Sequence, residues 1–197
     1  RNQTLEEYQE VLRNIIATTH QMNSFITKLL ALTQAEFGQV QLDMSKIKIK
    51  ELILEIFHES QILAEEKGLN LEISFQPDGF VLGDRDRLKE LFFILLDNSL
   101  KYTNHPGTIR IVGQKDRHWF KISVSDTGRG ISQEDFPHIF ERFYRAKKNN
   151  VDIPQGAGLG LAIAKWVSEA HKGKIFAESQ PGKGSTLSVL LPIFQEA

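Results

Sequence analysis

The chain has 197 residues, 41% hydrophobic and 25% charged, a composition that suits a globular domain with an appendage. A formal net charge of -1 gives no bulk electrostatic drive towards nucleic acid, and the absence of cysteine excludes disulfides and thiolate sites and fits a reducing compartment. Apolar runs such as Leu91–Leu96 are far too short to span a bilayer, no signal peptide is visible, and the start at Arg1 rather than Met suggests an excised fragment.

Up to about residue 43 the only helix breaker is Gly38. Leu5, Tyr8, Leu12, Ile15, Met22, Ile26 and Leu29 recur in steps of three and four, a heptad seam interrupted at Thr19. Val11, Ile16, Phe25 and Leu30 widen the stripe towards a helical bundle. An ordinary amphipathic core helix is the alternative. A helix of this length with nothing nearby in sequence to pack on favours burial against another chain.

From about residue 44 helix and strand patterns mix. Ser45–Lys50 alternates as a strand does, and Glu51–Lys67 is helical, with Leu52, Ile53, Ile56, Phe57 and Leu63 expected inside and Gly68 as its stop. Asn70–Phe75 reads as a strand that ends before the turn Pro77-Asp78-Gly79. Asp84 is placed to cap a helix over Arg85–Tyr102, whose stripe is Leu88, Leu91, Phe92, Leu95, Leu96 and Ser99. Strands are expected at Thr108–Val112 and Trp119–Ser125, joined near Lys115-Asp116. Residues 132–157 form a long connection of the kind used as a lid, and residues 146–157, polar and short of apolar anchors, are expected to be its mobile part. A helix over Leu159–Ala170 and strands at Lys174–Glu178 and Thr186–Leu191 close the chain.

Four blocks in the second half carry chemistry in combination. Asn98, Lys101 and Tyr102 share one helix face and set an amide oxygen, a cation and an aromatic ring side by side. Asparagine is a poor interior helix residue, and a magnesium ligand explains it, because this hard cation takes few protein oxygens plus substrate phosphates. A surface asparagine beside a snorkelling lysine is the plainer alternative. Asp126, at a strand end before Thr127-Gly128-Arg129-Gly130, can accept from an exocyclic amine while the turn lets a ring pass, although Asp-x-Gly turns are common. Gly156-Ala157-Gly158-Leu159-Gly160-Leu161 opens a helix and offers free N–H groups to an anion, without a Rossmann or Walker context. Arg142, Arg145, Lys147 and Lys148 of the lid suit a terminal phosphate or form a solvated basic loop. Gly182-Lys183-Gly184-Ser185-Thr186 completes the set.

Together these blocks resemble the N box and glycine boxes of the sensor histidine kinase ATP-binding domain. Phe136–Arg145 is similar to that family's F box, and Glu7–Leu42 to the second helix of its dimerisation and phosphoacceptor domain. The resemblance implies a two-layer α/β sandwich of the histidine kinase, gyrase and chaperone ATPase type (α+β) over residues 44–197, preceded by a partial dimerisation domain over 1–43. It implies ATP and Mg²⁺ as cofactors, with Asn98 on the metal, Lys101 on the phosphates and Tyr102 against the adenine. Asp126 would accept from the adenine amino group, with Thr186 helping through water. Gly128, Gly130 and Ile131 would line the base pocket, and Gly156, Gly158, Leu159, Gly160 and Leu161 would bring the lid and its helix to the phosphates. Lys101, Arg142 and Arg145 would act on the transferred group. The implied partners are a response regulator receiver domain and a second copy through the helical bundle, with no nucleic acid. The implied place is the cytoplasm, with a bacterial membrane reached only through segments absent here.

Two departures stand out. Ile94 occupies the position, one turn before Asn98, where the family often has a second asparagine and where the gyrase-type, mismatch-repair and chaperone hydrolases place a water-activating glutamate. None of the six histidines has the family's phosphoacceptor context; His58-Glu59 is nearest, followed by Ser60-Gln61. The reading is therefore a histidine kinase catalytic part whose acceptor lies on an upstream helix. Its rivals are an ATP hydrolase of the same superfold and a binding module without chemistry.

Overall fold

In the computed structural model, which describes residues 5–36, 40–76, 78–146 and 157–195, the chain divides into two units, residues 1–40 and 41–197. The first unit is carried by α1 (Leu5–Glu36), 32 residues without glycine or proline. Thr19, Thr27 and Thr33 donate back to the carbonyls of Ile15, Asn23 and Leu29 at 2.9 Å, so their hydroxyls are satisfied inside the helix. Its seam is uncovered: Tyr8, Leu12, Ile15, Met22 and Ile26 are 49–60% exposed.

The second unit runs β1 (Ser45–Lys48), α2 (Ile49–Glu66), β2 (Asn70–Phe75), β3 (Phe80–Gly83), α3 (Arg85–Tyr102), β4 (Thr108–Lys115), β5 (Trp119–Asp126), α4 (Gly160–Ala170), β6 (Lys174–Gln180) and β7 (Gly184–Pro192). The main sheet has the order β2-β4-β5-β7-β6, parallel between β2 and β4 and antiparallel elsewhere. β1 and β3 form a separate antiparallel pair, with Ile47 opposite Val81.

Alternation decides which sheet face is buried. Phe120, Ile122 and Val124 of β5 and Leu187, Val189 and Leu191 of β7 turn inward, and the helices cover them with α3 between α2 and α4. The inward stripe expected on α3 is buried throughout, from Leu88 to Ser99, and each fully buried large apolar side chain there contributes about 1.5–3 kcal/mol. On the outer face Ser123 pairs with Ser188 and Ser125 with Thr186, hydroxyl to hydroxyl at 2.9 Å. The result is the two-layer α/β sandwich that the motifs implied.

Several expectations need correction. α2 starts at Ile49, so β1 stops at Lys48. Leu63 is 40% exposed, because the inward row of α2 continues 52, 56, 60, 64 and buries Ser60 and Ala64 instead. β3 was not foreseen. It is only four residues long, squeezed between a turn and the cap of α3, and β1 gives it its hydrogen bonds.

Asp84 caps α3 as expected, accepting from the N–H groups of Asp86 and Arg87 at 3.1 Å. The buried His171 joins this cap to the end of α4: Nδ1–H donates to the Val167 carbonyl at 2.7 Å, and Nε2 accepts from the Asp84 N–H at 2.9 Å. Acceptance at Nε2 needs the neutral ring, and burial pushes its pKa below the ordinary value of 6.5.

Candidate nucleotide site

The C-terminal end of α3, the loop after β5 and the loop before β7 are knotted around one carboxylate. Asp126 Oδ1 accepts the N–H groups of Gly128 at 2.9 Å and Ser185 at 3.2 Å. Its Oδ2 accepts the Ser185 hydroxyl at 2.6 Å and, at 3.4 Å, that of Ser99 on α3. The loop is drawn onto the helix end because Arg129 N–H donates to the Tyr102 carbonyl at 3.2 Å. A Cβ on Gly128 would lie 2.3 Å from that carbonyl oxygen, so only glycine permits the approach. Gly184 has φ +103° and packs on the Asp126 carbonyl, again closing the position to a side chain.

Asn98, Lys101 and Tyr102 are half-buried at this end of α3. Lys101 is held by Asp97 at 2.5 Å, an i,i+4 pair on one face of α3. The Arg129 guanidinium lies 4.5 Å from the centre of the Tyr102 ring and occupies one face of it. Ile131 N–H donates to Ser179 Oγ at 2.8 Å, and Ser179 Oγ donates to the Gly184 carbonyl at 2.9 Å, which ties this loop to the last two strands. Gly130 packs against the Gln180 carbonyl on the same side.

The start of α4 is brought to the same helix. Leu159 is buried as its N-cap residue, Leu161 sits in its first turn, and Gly160 faces Ile94, whose Cγ2 lies 3.3 Å from where a Cβ would stand. The 3₁₀ turn Phe136–His138 leads to Phe143, whose N–H donates to the Gly158 carbonyl at 2.9 Å. Arg142 and Arg145 flank this anchor, and the Tyr144 hydroxyl donates to Asp135 at 2.7 Å, a bond to a carboxylate that raises the phenol's pKa. Gly156, Lys147, Lys148 and the expected mobile lid, except its end residues 146 and 157, lie outside the described residues.

Thr186, expected to help at the adenine through water, makes no direct bond to Asp126: its hydroxyl pairs with Ser125 on the outer sheet face, and Ser185 bonds the carboxylate. The signal was present, because Ser185 shares parity with the inward Leu187, Val189 and Leu191. Arg129, between the two glycines of the Asp126 loop, is a further neighbour of Tyr102 that the sequence pattern does not single out.

For a metal, the donor set fits Mg²⁺ sparingly. The described residues hold no cluster of three or more His, Cys, Asp or Glu side chains able to bind an ion. The Asn98 amide pairs with no described residue, and such a lone oxygen donor suits a cation that keeps most of its shell as water and phosphate.

The profile of the family described as "Histidine kinase-, DNA gyrase B-, and HSP90-like ATPase" matches residues 83–195, more than half of the chain. The chain belongs to this family. It is 41% identical over 128 residues to the signal transduction histidine-protein kinase BaeS of Escherichia coli (strain K12), covering 64% of this chain and 27% of that protein. It is 31% identical to the sensor protein SphS of Synechococcus elongatus (strain ATCC 33912 / PCC 7942 / FACHB-805), covering 98% of this chain and 48% of that one. The chain thus spans less than half of either relative. Among solved structures, full-length ShkA in complex with AMPPNP has a TM-score of 0.84 at 24% identity, covering all of this chain and 41% of ShkA. The catalytic domain of the histidine kinase ThkA has a TM-score of 0.68 at 24% identity, covering 77% of this chain and 99% of that domain. These likenesses establish the fold.

Proposed function

We propose that the chain binds Mg–ATP between α3, the Asp126 loop and the start of α4. It then serves as the catalytic part of a histidine kinase. The observation that carries this is the Asp126 carboxylate, fixed by Ser185 and Gly128 against the helix end that bears Asn98, Lys101 and Tyr102. Asp126 accepts from the adenine amino group with Ser185 beside it, and Tyr102 presents its free side to the ring. Asn98 holds Mg²⁺, which when bound neutralises phosphate charge. Lys101, released from Asp97, and the N-terminal amides of α4 hold the phosphates, and Arg142 and Arg145 approach the terminal one from the Phe143 anchor.

In the transfer, a nitrogen of an acceptor histidine on a helix outside this chain attacks the γ-phosphorus. The bond to the β–γ bridging oxygen breaks and ADP leaves. An aspartate on a receiver domain takes the phosphoryl group next, and α1 pairs with a second copy to present the acceptor helix. Ile94 favours kinase over hydrolase, because an aliphatic side chain buried to 8% exposure against Gly160 cannot activate water where a hydrolase carries its base. Calorimetry with ATP and ADP, with and without Mg²⁺, tests the nucleotide site; absence of binding rejects the proposal.

A further inference from the structure

At the opposite end of α3 from the nucleotide site lies a groove of about 680 Å³ that none of the nucleotide-site residues enters. α3 is 18 residues long, so the two ends are roughly 27 Å apart. The volume falls within the roughly 300–1,000 Å³ of pockets that take drug-sized ligands. Its walls are apolar: Met44, Leu82, Trp119, Pro192, Ile193 and Phe194. Met44 and Leu82 are large hydrophobic side chains left exposed here, which is the kind of surface that marks a binding groove.

The polar lining is His118, His171, Lys172 and Gln195; among the described residues no carboxylate contributes, and Lys172 brings the one formal charge. His171 is neutral and has both nitrogens engaged, so it cannot serve a ligand. Asp116, near His118, accepts the N–H groups of His118 and Trp119 at Oδ1 and is not among the lining residues. Lys172 forms no ion pair with a described carboxylate. It also sits at φ +57°, in the left-handed position that usually goes to glycine after a helix. Lys172 N–H donates to the Glu169 carbonyl at 2.9 Å and the next amide, Gly173, to the Ser168 carbonyl at 2.8 Å, so the lysine stem starts from a fixed backbone. A lysine on a fixed backbone, without an ion-pair partner among the described residues, borders an apolar groove and complements one chemistry.

We propose that this groove is a second ligand site, for a free organic anion with an apolar body and one carboxylate or sulfonate, such as a medium-chain fatty acid. The apolar body lies between Leu82, Trp119 and Phe194, and the acid meets Lys172. This site does not depend on the nucleotide reading.

Trp119 makes the test direct, since the chain has two tryptophans and the other, Trp166, stacks with Arg87 on the helical layer. In a Trp166→Phe background the emission reports on the groove alone. Decanoate below its micellar concentration should shift that emission saturably. Lys172→Asp, which tolerates the left-handed backbone, should weaken decanoate at least tenfold while decanol changes less than threefold. Leu82→Glu, at an exposed position, should abolish the response to both. No saturable shift, equal losses for decanoate and decanol, or a response to anionic lipid vesicles without one to decanoate would each overturn the proposal. Titration of an ATP analogue on the same samples should be unchanged by these variants, so a failure of the nucleotide site shows in a separate readout.

Discussion

At the scale of single residues, the division of labour between Ser185 and Thr186 is the sharpest test of the site. Ser185 donates its hydroxyl to Asp126, whereas Thr186 bonds Ser125 across the sheet's outer face. Ser185→Ala should therefore weaken ATP by about 0.5–1.5 kcal/mol, the usual worth of one hydrogen bond, and Thr186→Ala should leave affinity unchanged in the same titration. Asp126→Asn loses a charge-assisted acceptor and should weaken ATP and ADP alike by about 1.5–3 kcal/mol, read by calorimetry. Asn98→Ala should instead abolish the gain in affinity that Mg²⁺ brings. Parent-like binding by both Asp126→Asn and Asn98→Ala would place the nucleotide elsewhere. The residue types were legible from the sequence because a carboxylate at a strand end before two glycines and an asparagine inside a helix both stand out. The partner of each was not, because a contact between residues 126 and 185 is made only when the strands pair.

At the scale of elements, the helical layer is held to itself as well as to the sheet. His171 ties the end of α4 to the cap of α3, and the helix that it caps carries Asn98, Lys101 and Tyr102 at its far end. Because the folded ring must be neutral, its folded pKa lies below the unfolded value near 6.5. The unfolded chain therefore takes up this proton first. The stabilising contribution is complete above about pH 6.5 and is lost as pH falls from there through the folded pKa. Urea midpoints measured between pH 7 and pH 5 should decline, and His171→Gln should remove part of that slope; an unchanged slope would deny His171 this role. Leu95→Ala, at the centre of the buried α3 stripe, should cost about 2–5 kcal/mol in the same assay. The stripe could be read from period alone. The His171 link could not, since its partners stand at 84 and 167 on different elements.

At the scale of the whole molecule, the proposed kinase reading makes activity depend on an acceptor helix and on a second copy. Incubated alone with labelled ATP, the chain should not label itself, because its histidines lack an acceptor context. It should phosphorylate, in trans, a separate polypeptide that carries an acceptor helix, giving acid-labile and base-stable phosphohistidine. Label on the chain itself would make His58 the first suspect, and rapid phosphate release without acceptor would favour the hydrolase. The exposed seam of α1 adds a condition. Polar substitutions at Ile15 and Met22 should weaken transfer and self-association, read by sedimentation, while leaving nucleotide affinity unchanged.

The sequence by itself determined most of the elements and the family. Heptad steps made α1 a helix, Asp84 marked the start of α3, alternation marked β1, and the glycine blocks announced a nucleotide fold. These are local properties, set by side-chain period, capping and backbone sterics within a few residues. What only the tertiary structure decided was packing and pairing between distant segments: β3 as a strand because β1 reaches it, Leu63 turned outward, Arg129 over Tyr102, and Ser185 rather than Thr186 at Asp126. Each of these turns on which atoms arrive at one point in space. Sheet register and helix packing fix that, and a one-residue step along a strand is enough to send a hydroxyl to the opposite face.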